Sequence, residues 1–534
     1  MMALQVPLNF AAKPLGGLPS GLITQIPAKV LNANLSTYDE RGKPLPFLAE
    51  SLPELNTATW RLFPDGTMET TYRLRPNLTW HDGQPLTAED FVFAARVYAT
   101  PEYGLAATVP TQWMAEVLAP DSRTVLIRWS QRYAHAGMLQ DGFPPLPRHL
   151  LEQAHLESAG AGPNAPSFLP NSPFWNSAYV GAGAYKLDAY NPGVSVEASA
   201  FDGFMLGRPR IDRISVRGIP DANAALATML AGDADASFDQ LRGEPGEILQ
   251  REWGATGGTV LRRPIDNRIL TFQFRPDRAQ PLEVATDVRV RRALAHALDK
   301  QPIFETITNG RGVMSDTYTS PREEIYPLVD REVAKYPYDP RRAQQLLEEA
   351  GFVRGSDSKW TTPRGTPFDL PVWYTVGAAA FQQENAIVVA QLNQLGINAT
   401  SNASNTQSQS PMERALVPGV WSGQQTFLSF RSSETARTEN RWTGNRGGYS
   451  HPEYDRLASL LDGALDPSEI TQVTIELEKH IRTDLPLIFL YYDTSPFAYV
   501  GALKGPVDLS SFSVTGPNSV AAYLFNIHEW YWQA

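Results

Sequence analysis

A single run, Trp80-His81-Asp82-Gly83-Gln84-Pro85-Leu86-Thr87-Ala88-Glu89-Asp90, constrains the local structure of this chain more than any other. Asp82-Gly83 is a tight-turn pair, because glycine enters positive φ without a steric cost. Thr87 to Asp90 reads as a helix start of capping-box type. The Thr87 hydroxyl is available to a backbone N–H, and two acids sit at the positive end of the helix dipole. Phe91, Val92, Ala94, Ala95 and Tyr98 then recur at helical spacing. The run predicts a strand end, a turn and a capped helix.

At 534 residues the chain exceeds one domain, and a prior of ~150 residues per domain predicts three or four. Net charge is −11, from 46 basic and 57 acidic residues, with no basic block or stripe, so nucleic acid is not an expected partner. The absence of cysteine removes disulfides, thiolate zinc sites, iron–sulfur clusters and thiol nucleophiles together. No apolar run approaches the ~20 residues that span a bilayer. Residues 1–22 lack a charged start followed by an apolar core, so no secretory signal is expected in them. The 12 Trp, 20 Tyr and 23 Phe belong mostly to cores, with a minority free to line a pocket.

Strands and helices alternate, as in α/β and α+β domains. Thr124–Trp129, Val194–Glu197 and Ile211–Val216 read as strands. Asp221–Leu230 and Asp287–Leu298 read as helices with one apolar face. Asp339-Pro340 and Asp466-Pro467 each start another, since proline fits the first helical position. Gly160–Pro173, Ser356–Pro367 and Ser401–Ser410 read as surface loops.

The residues offer little catalytic chemistry. There is no Gly-x-Ser-x-Gly, Walker loop or His-Glu-x-x-His. His149 and His155 are six apart, which does not put two metal ligands on one helical face. Asp233/Asp235 and Glu348/Glu349 read as capping and solubilising groups. Gly181-Ala182-Gly183 lacks the third glycine and the Lys-Ser/Thr of phosphate loops. No enzyme activity, cofactor or bound metal is expected.

Tyr72-Arg73-Leu74-Arg75 followed by the opening run is similar to a signature of the family 5 extracellular solute-binding proteins, the dipeptide-, oligopeptide- and nickel-binding receptors of ABC importers. Further blocks resemble the family in order: Gly181–Leu187, Ala231–Asp235, Asp287–Asp299, Tyr338–Phe352, Leu392–Ile397, Tyr449–Leu457 and Asp484–Leu487. The resemblance implies an α/β, two-lobed periplasmic-binding-protein fold (type II, cluster C), with a cleft and two hinge strands. It places lobe one at 1–44, 181–266 and 493–534, an extra subdomain at 45–180, and lobe two at 267–492. Hinge strands are expected at Ile269–Phe274 and Leu487–Tyr492. The implied role is a monomeric, extracytoplasmic receptor that binds a small or peptide-like solute and delivers it to ABC permease subunits. A secretory signal, and in many relatives a lipid-bearing cysteine, would already be lost. A sensor or chaperone without a transporter, or a glycan or peptide hydrolase, is the alternative.

The resemblance also points to site residues. Many peptide-binding relatives place an Asp three residues after a Trp, where it pairs with the ligand's ammonium. Here Trp421 matches, but Gln424 stands in place of the acid. Gln offers an acceptor and two donors but no charge, and a buried ammonium without a counter-ion is costly. A standard peptide N-terminus is therefore not the expected ligand; an uncharged or acidic molecule is. Trp442 and Arg446 are further candidates, for stacking and for bidentate binding of a carboxylate or phosphate. Leu22, Thr24 and Gln25 match an N-terminal ligand-contacting loop, and Gln273, Tyr491 and Tyr492 lie on the expected hinge strands.

Overall fold

A computed structural model describes residues 2–3, 29–103, 109–140, 142–160, 172–219, 221–238, 241–254, 257–376, 379–405, 408–440, 442, 444–509 and 520–533. Its largest element is a ten-stranded sheet. The strands, in chain order, are β1 (Met2–Ala3), β2 (Tyr185–Asn191), β3 (Ser195–Ala200), β4 (Arg213–Gly218), β5 (Ala236–Phe238), β6 (Gly258–Phe272), β7 (Asp369–Thr375), β8 (Asn398–Ser404), β9 (Val420–Gly423) and β10 (Leu487–Val500). Their spatial order is β8-β7-β9-β6-β10-β5-β1-β4-β3-β2.

The sheet is continuous because β6 and β10 are long. They span 15 and 14 residues and pair antiparallel from Gly258/Val500 to Thr271/Leu487. Each end has different neighbours: β9 pairs with Ile269–Phe272 of β6, and β5 with Phe497–Tyr499 of β10. The ladder shifts register between Pro264 and Asp266 and again between Arg268 and Ile269. Proline has no N–H to give a ladder, and such irregularities bend a strand and increase its twist. The first crossing strand begins well before the expected 269–274 but ends at Phe272, and the second runs past the expected 487–492 to Val500.

Three main cores flank the sheet. One is built largely from residues 33–182, around a four-stranded sheet (Trp60–Leu62, Met68–Arg73, Thr124–Trp129, Met114–Asp121) and helix Ala88–Ala99. A second draws on residues 270–491, and a third on 30–31, 184–238 and 497–530. Phe47, Tyr179 and Met205 pack against both the first and the third core, and polar contacts add to the apolar ones. Arg311 Nε lies 2.6 Å from a Glu247 carboxylate oxygen, and Ala134 N–H donates to the Asp462 carbonyl at 2.7 Å.

The opening run has a clear physical logic. Phe91, Phe93, Ala94, Val97 and Tyr98 are fully buried on the helix. Asp90 is buried too, and its carboxylate accepts from Thr87 N–H at 2.9 Å, Arg148 N–H at 3.0 Å and Trp80 Nε1–H at 3.3 Å. The Trp and Asp of the run are thus bonded to each other. His81 Nε2 donates to the Gly183 carbonyl at 3.1 Å, and its Nδ1 accepts from Gly181 N–H at 3.2 Å. Burial pushes the His81 pKa down to about 4, consistent with this neutral tautomer. Gly181 and Gly183 are packing residues: a Cβ there would lie 2.0 Å from the Leu31 carbonyl oxygen and 2.4 Å from the Leu31 carbonyl carbon.

Asp221, Asp287, Asp339 and Asp466 cap their helices, each accepting a first-turn backbone N–H. The expected loop at 401–410 is in part a strand. Residues 401–404 complete β8, parallel to β7 at the sheet edge. An edge strand with a largely solvated face has a polar sequence, which hides it from hydrophobic patterning. Within the expected loop at 356–367, Trp360–Thr361 pairs with Val353–Arg354 in a small hairpin. Most of the expected loop at 160–173 lies outside the described residues.

Candidate solute-binding site

Trp421 owes its position to β9. This four-residue strand lies between β6 and β7, with Trp421 paired to Thr271 on one side and to Trp373 on the other. Val420 and Ser422 are buried, and Trp421 and Gly423 take the opposite face, as strand alternation requires. Gly419 has φ +78°, and a Cβ on it would lie 2.3 Å from the Pro371 carbonyl. A Cβ on Gly423 would lie 2.5 Å from Trp421 Nε1, so this glycine leaves room for the indole.

Trp421 lines a cavity of about 310 Å³. The other lining residues are Thr271, Phe272 and Gln273 at the end of β6; Arg414, Ala415, Val417 and Gly419 before β9; Gln424, Gln425, Thr426 and Ser429 after it; and Gly444, Arg446 and Gly447. The lining contains two arginines and no Asp or Glu. Glu434 stands behind it, with Oε2 3.2 Å from where a Gly444 Cβ would be.

Two residues organise this wall from within. Gln273 Nε2 donates to the carbonyls of Ala415 (3.1 Å) and Val417 (2.9 Å), and its Oε1 accepts from Arg275. Arg275 in turn donates to the carbonyls of Ala415, Ala436 and Arg446. Together they tie the segment carrying Arg414 to the loop carrying Arg446. Gly447 holds that loop against β6, since a Cβ there would lie 2.4 Å from the Phe272 carbonyl.

The Arg446 guanidinium carbon lies 5.9 Å from the Trp421 ring centroid, within cation–π range. Burial, and to a smaller extent the nearby Arg414 charge, push the pKa of the half-buried Arg446 down to about 10. No carboxylate offsets either effect. Arg414 Nε is buried and has no hydrogen-bond partner.

The sequence-selected residues divide into three groups. Trp421, Gln424, Arg446 and Gln273 share this cavity, although the Gln273 amide is engaged by the scaffold. Trp442, Tyr491 and Tyr492 are not among its lining residues. Trp442 is half-buried at φ +61°, with its N–H donating to the Arg437 carbonyl. Tyr491 donates to Glu384 at 2.5 Å, and Tyr492 to the Tyr318 carbonyl at 2.7 Å. Both rings are buried because β10 is covered on both faces along most of its length. Leu22, Thr24 and Gln25 lie outside the described residues. Sequence reasoning missed Arg414 and Arg275; Glu413 stands next to Arg414 and Arg275 is far along the chain, so no local pattern marked either.

Comparison with known proteins agrees with this architecture. A model of the bacterial extracellular solute-binding proteins, family 5 (middle), matches residues 43–427. The oligopeptide-binding protein AppA of Bacillus subtilis is 25% identical over 492 residues, covering 89% of this chain and 83% of AppA. The structure of NikZ from Campylobacter jejuni, in complex with Ni(L-His), superposes with TM-score 0.79 at 22% identity, covering 99% of this chain and 98% of NikZ. A mannohexaose-bound periplasmic oligopeptide-binding protein from Thermotoga maritima gives TM-score 0.76 at 20% identity, covering 100% and 98%. With the family model matching well over half of its length, this chain belongs to the family 5 bacterial extracellular solute-binding proteins.

Proposed function

We propose that this protein is the solute-binding receptor of an ABC importer and that the Trp421 cavity is part of its solute site. The observation that carries the reading is a concave, aromatic- and arginine-lined wall at the end of the two strands that cross between the sheet halves. Family membership supports the receptor role and an extracytoplasmic location. Among the described residues no helix is long and apolar enough to cross a membrane, so translocation would fall to separate permease subunits.

In this reading lobe one comprises 1–44, 181–266 and 493–534, with 45–180 as its extra subdomain and 267–492 as lobe two. The bend is expected at the register shifts around 264–269, where the ladder is least regular. A solute touching both lobes only when they are closed shifts the population toward the closed form. No chemical change of the solute is needed.

The relatives named above bind peptides, a nickel–histidine complex and a mannohexaose, so the frame accepts chemically different guests. Here the Asp of the peptide-binding pattern is Gln424, which favours a ligand without a free ammonium at that point. Native mass spectrometry of the purified protein should reveal a co-purified solute. Adding that solute to stripped protein should compact it in solution scattering; unchanged dimensions at saturation would exclude closure.

A further inference from the structure

The buried arginines of this protein show how it treats a desolvated guanidinium. Arg268 is paired with Glu384, and Arg431 with Asp462. Arg291 donates to the Asp484 and Val284 carbonyls, and Arg482 to the Ala334 carbonyl, beside Asp316. Each has an acceptor within the fold, as the cost of a buried unpaired charge requires.

Arg446 departs from that pattern. Its surroundings penalise the cation through burial and a second arginine, with no acid in compensation. Arg414 adds a buried Nε without an acceptor on the same cavity. Two cations line one wall facing about 310 Å³ of space, and Gln273 and Arg275 hold the backbone segments that carry them. Preorganised, undercompensated guanidiniums in a cavity form a receptor for a planar or tetrahedral oxyanion, because a fork of N–H donors matches carboxylate and phosphate oxygens.

Resting on the receptor reading above, we propose that Arg446 and Arg414 capture an organic solute through its carboxylate or phosphate group, with the solute's uncharged body against Trp421. Gln424, Gln425 and Thr426 complete the rim with neutral donors and acceptors, suited to orienting the remaining polar groups without adding charge. A solute presenting only an ammonium would face two like charges.

Ring-bearing probes that differ only in the polar group test this: phenyl phosphate, benzoate, benzyl alcohol and benzylamine, titrated against the stripped full-length chain by calorimetry and tryptophan fluorescence. At least one of the two anions should bind at least about tenfold more tightly than the alcohol, with affinity falling as salt rises; which anion wins identifies phosphate or carboxylate as the source. Arg446→Gln should weaken the better anion by about tenfold or more, and Arg446→Lys by less, since it keeps the charge but loses the fork. Arg414→Gln provides an independent variant should Arg446→Gln fail to fold. Equal binding of alcohol and anion, tighter binding of benzylamine, no anion binding at all, or unchanged anion affinity in both glutamine variants would each overturn the proposal. Compaction on adding the co-purified solute reports the receptor reading separately, so a neutral solute that closes the protein would remove the anion inference and leave the receptor standing.

Discussion

Arg268 on β6 and Glu384 on helix Ala379–Leu395 form a fully buried, two-pronged ion pair, with Nη2–Oε1 2.7 Å and Nε–Oε2 3.0 Å. The Tyr491 hydroxyl of β10 and the Ser422 hydroxyl of β9 donate to the same carboxylate. Burial works against the Glu384 charge, but Arg268 and the two hydroxyls outweigh it and hold its pKa below the usual carboxylate value. One carboxylate therefore joins both crossing strands to the strand that carries Trp421 and to the helix covering them.

Removing that carboxylate strands a guanidinium. Glu384→Ala should cost about 3–5 kcal/mol of stability, the usual penalty for breaking a buried pair. Chemical denaturation of the variant checks this, and a loss below about 1 kcal/mol would show that the network is dispensable.

Glu478 gives a pH signature. It is fully buried, and burial raises its pKa to about 7, with bonds from Thr319 opposing the rise. The folded pKa lies above the unfolded value, so the native state binds more protons between about pH 4.5 and 7. The slope of stability with pH is then negative in that window: the contribution is full below pH 4.5 and is lost as pH rises through 7. Across it Glu478 should account for on the order of 3 kcal/mol. His81, whose pKa burial pushes down to about 4, contributes with the opposite sign between about pH 4 and 6.5, a window that overlaps that of Glu478. The measurement is therefore the difference between wild type and Glu478→Gln, which should be more stable than wild type at pH 8 but not at pH 5. Parallel pH profiles would refute the assignment.

Gln424→Asp restores the acid of the peptide-binding pattern beside the two arginines. Affinity for anionic probes should fall by about tenfold, and binding of an ammonium probe should rise, both measured by calorimetry. An unaltered preference would place Gln424 outside the contact surface.

Gly419→Ala should destabilise the protein by about 1–3 kcal/mol, because the left-handed backbone and the Pro371 carbonyl both oppose a Cβ. Since Gly419 adjoins β9, tryptophan emission at 25 °C should also shift. Wild-type stability and emission together would contradict the packing.

The main ingredients of the fold were legible along the chain. The Trp80–Asp90 run specified a turn and a capped helix through short-range contacts, and the structure shows Trp80 and Asp90 bonded across it. Aspartate caps at 221, 287, 339 and 466 were readable for the same reason: donor and acceptor lie within three residues. The polar edge strand Asn398–Ser404 was not, because only its parallel neighbour makes it a strand.

The candidate site was half legible. Trp421, Gln424, Gln273 and Arg446 were selected and share one cavity, whereas Tyr491 and Tyr492 were selected for their strand and proved to be buried in its interior. Sequence by itself determined the family, the local caps and turns, and the missing acid at 424, because these depend on residue identity at fixed spacing. Only the tertiary structure decided that Arg414 and Arg446, separated by 32 positions, share one wall without a counter-charge. Long-range hydrogen bonds from Gln273 and Arg275 to backbone carbonyls hold the two segments together, so both arginine side chains line one cavity, a relationship that no short-range spacing encodes.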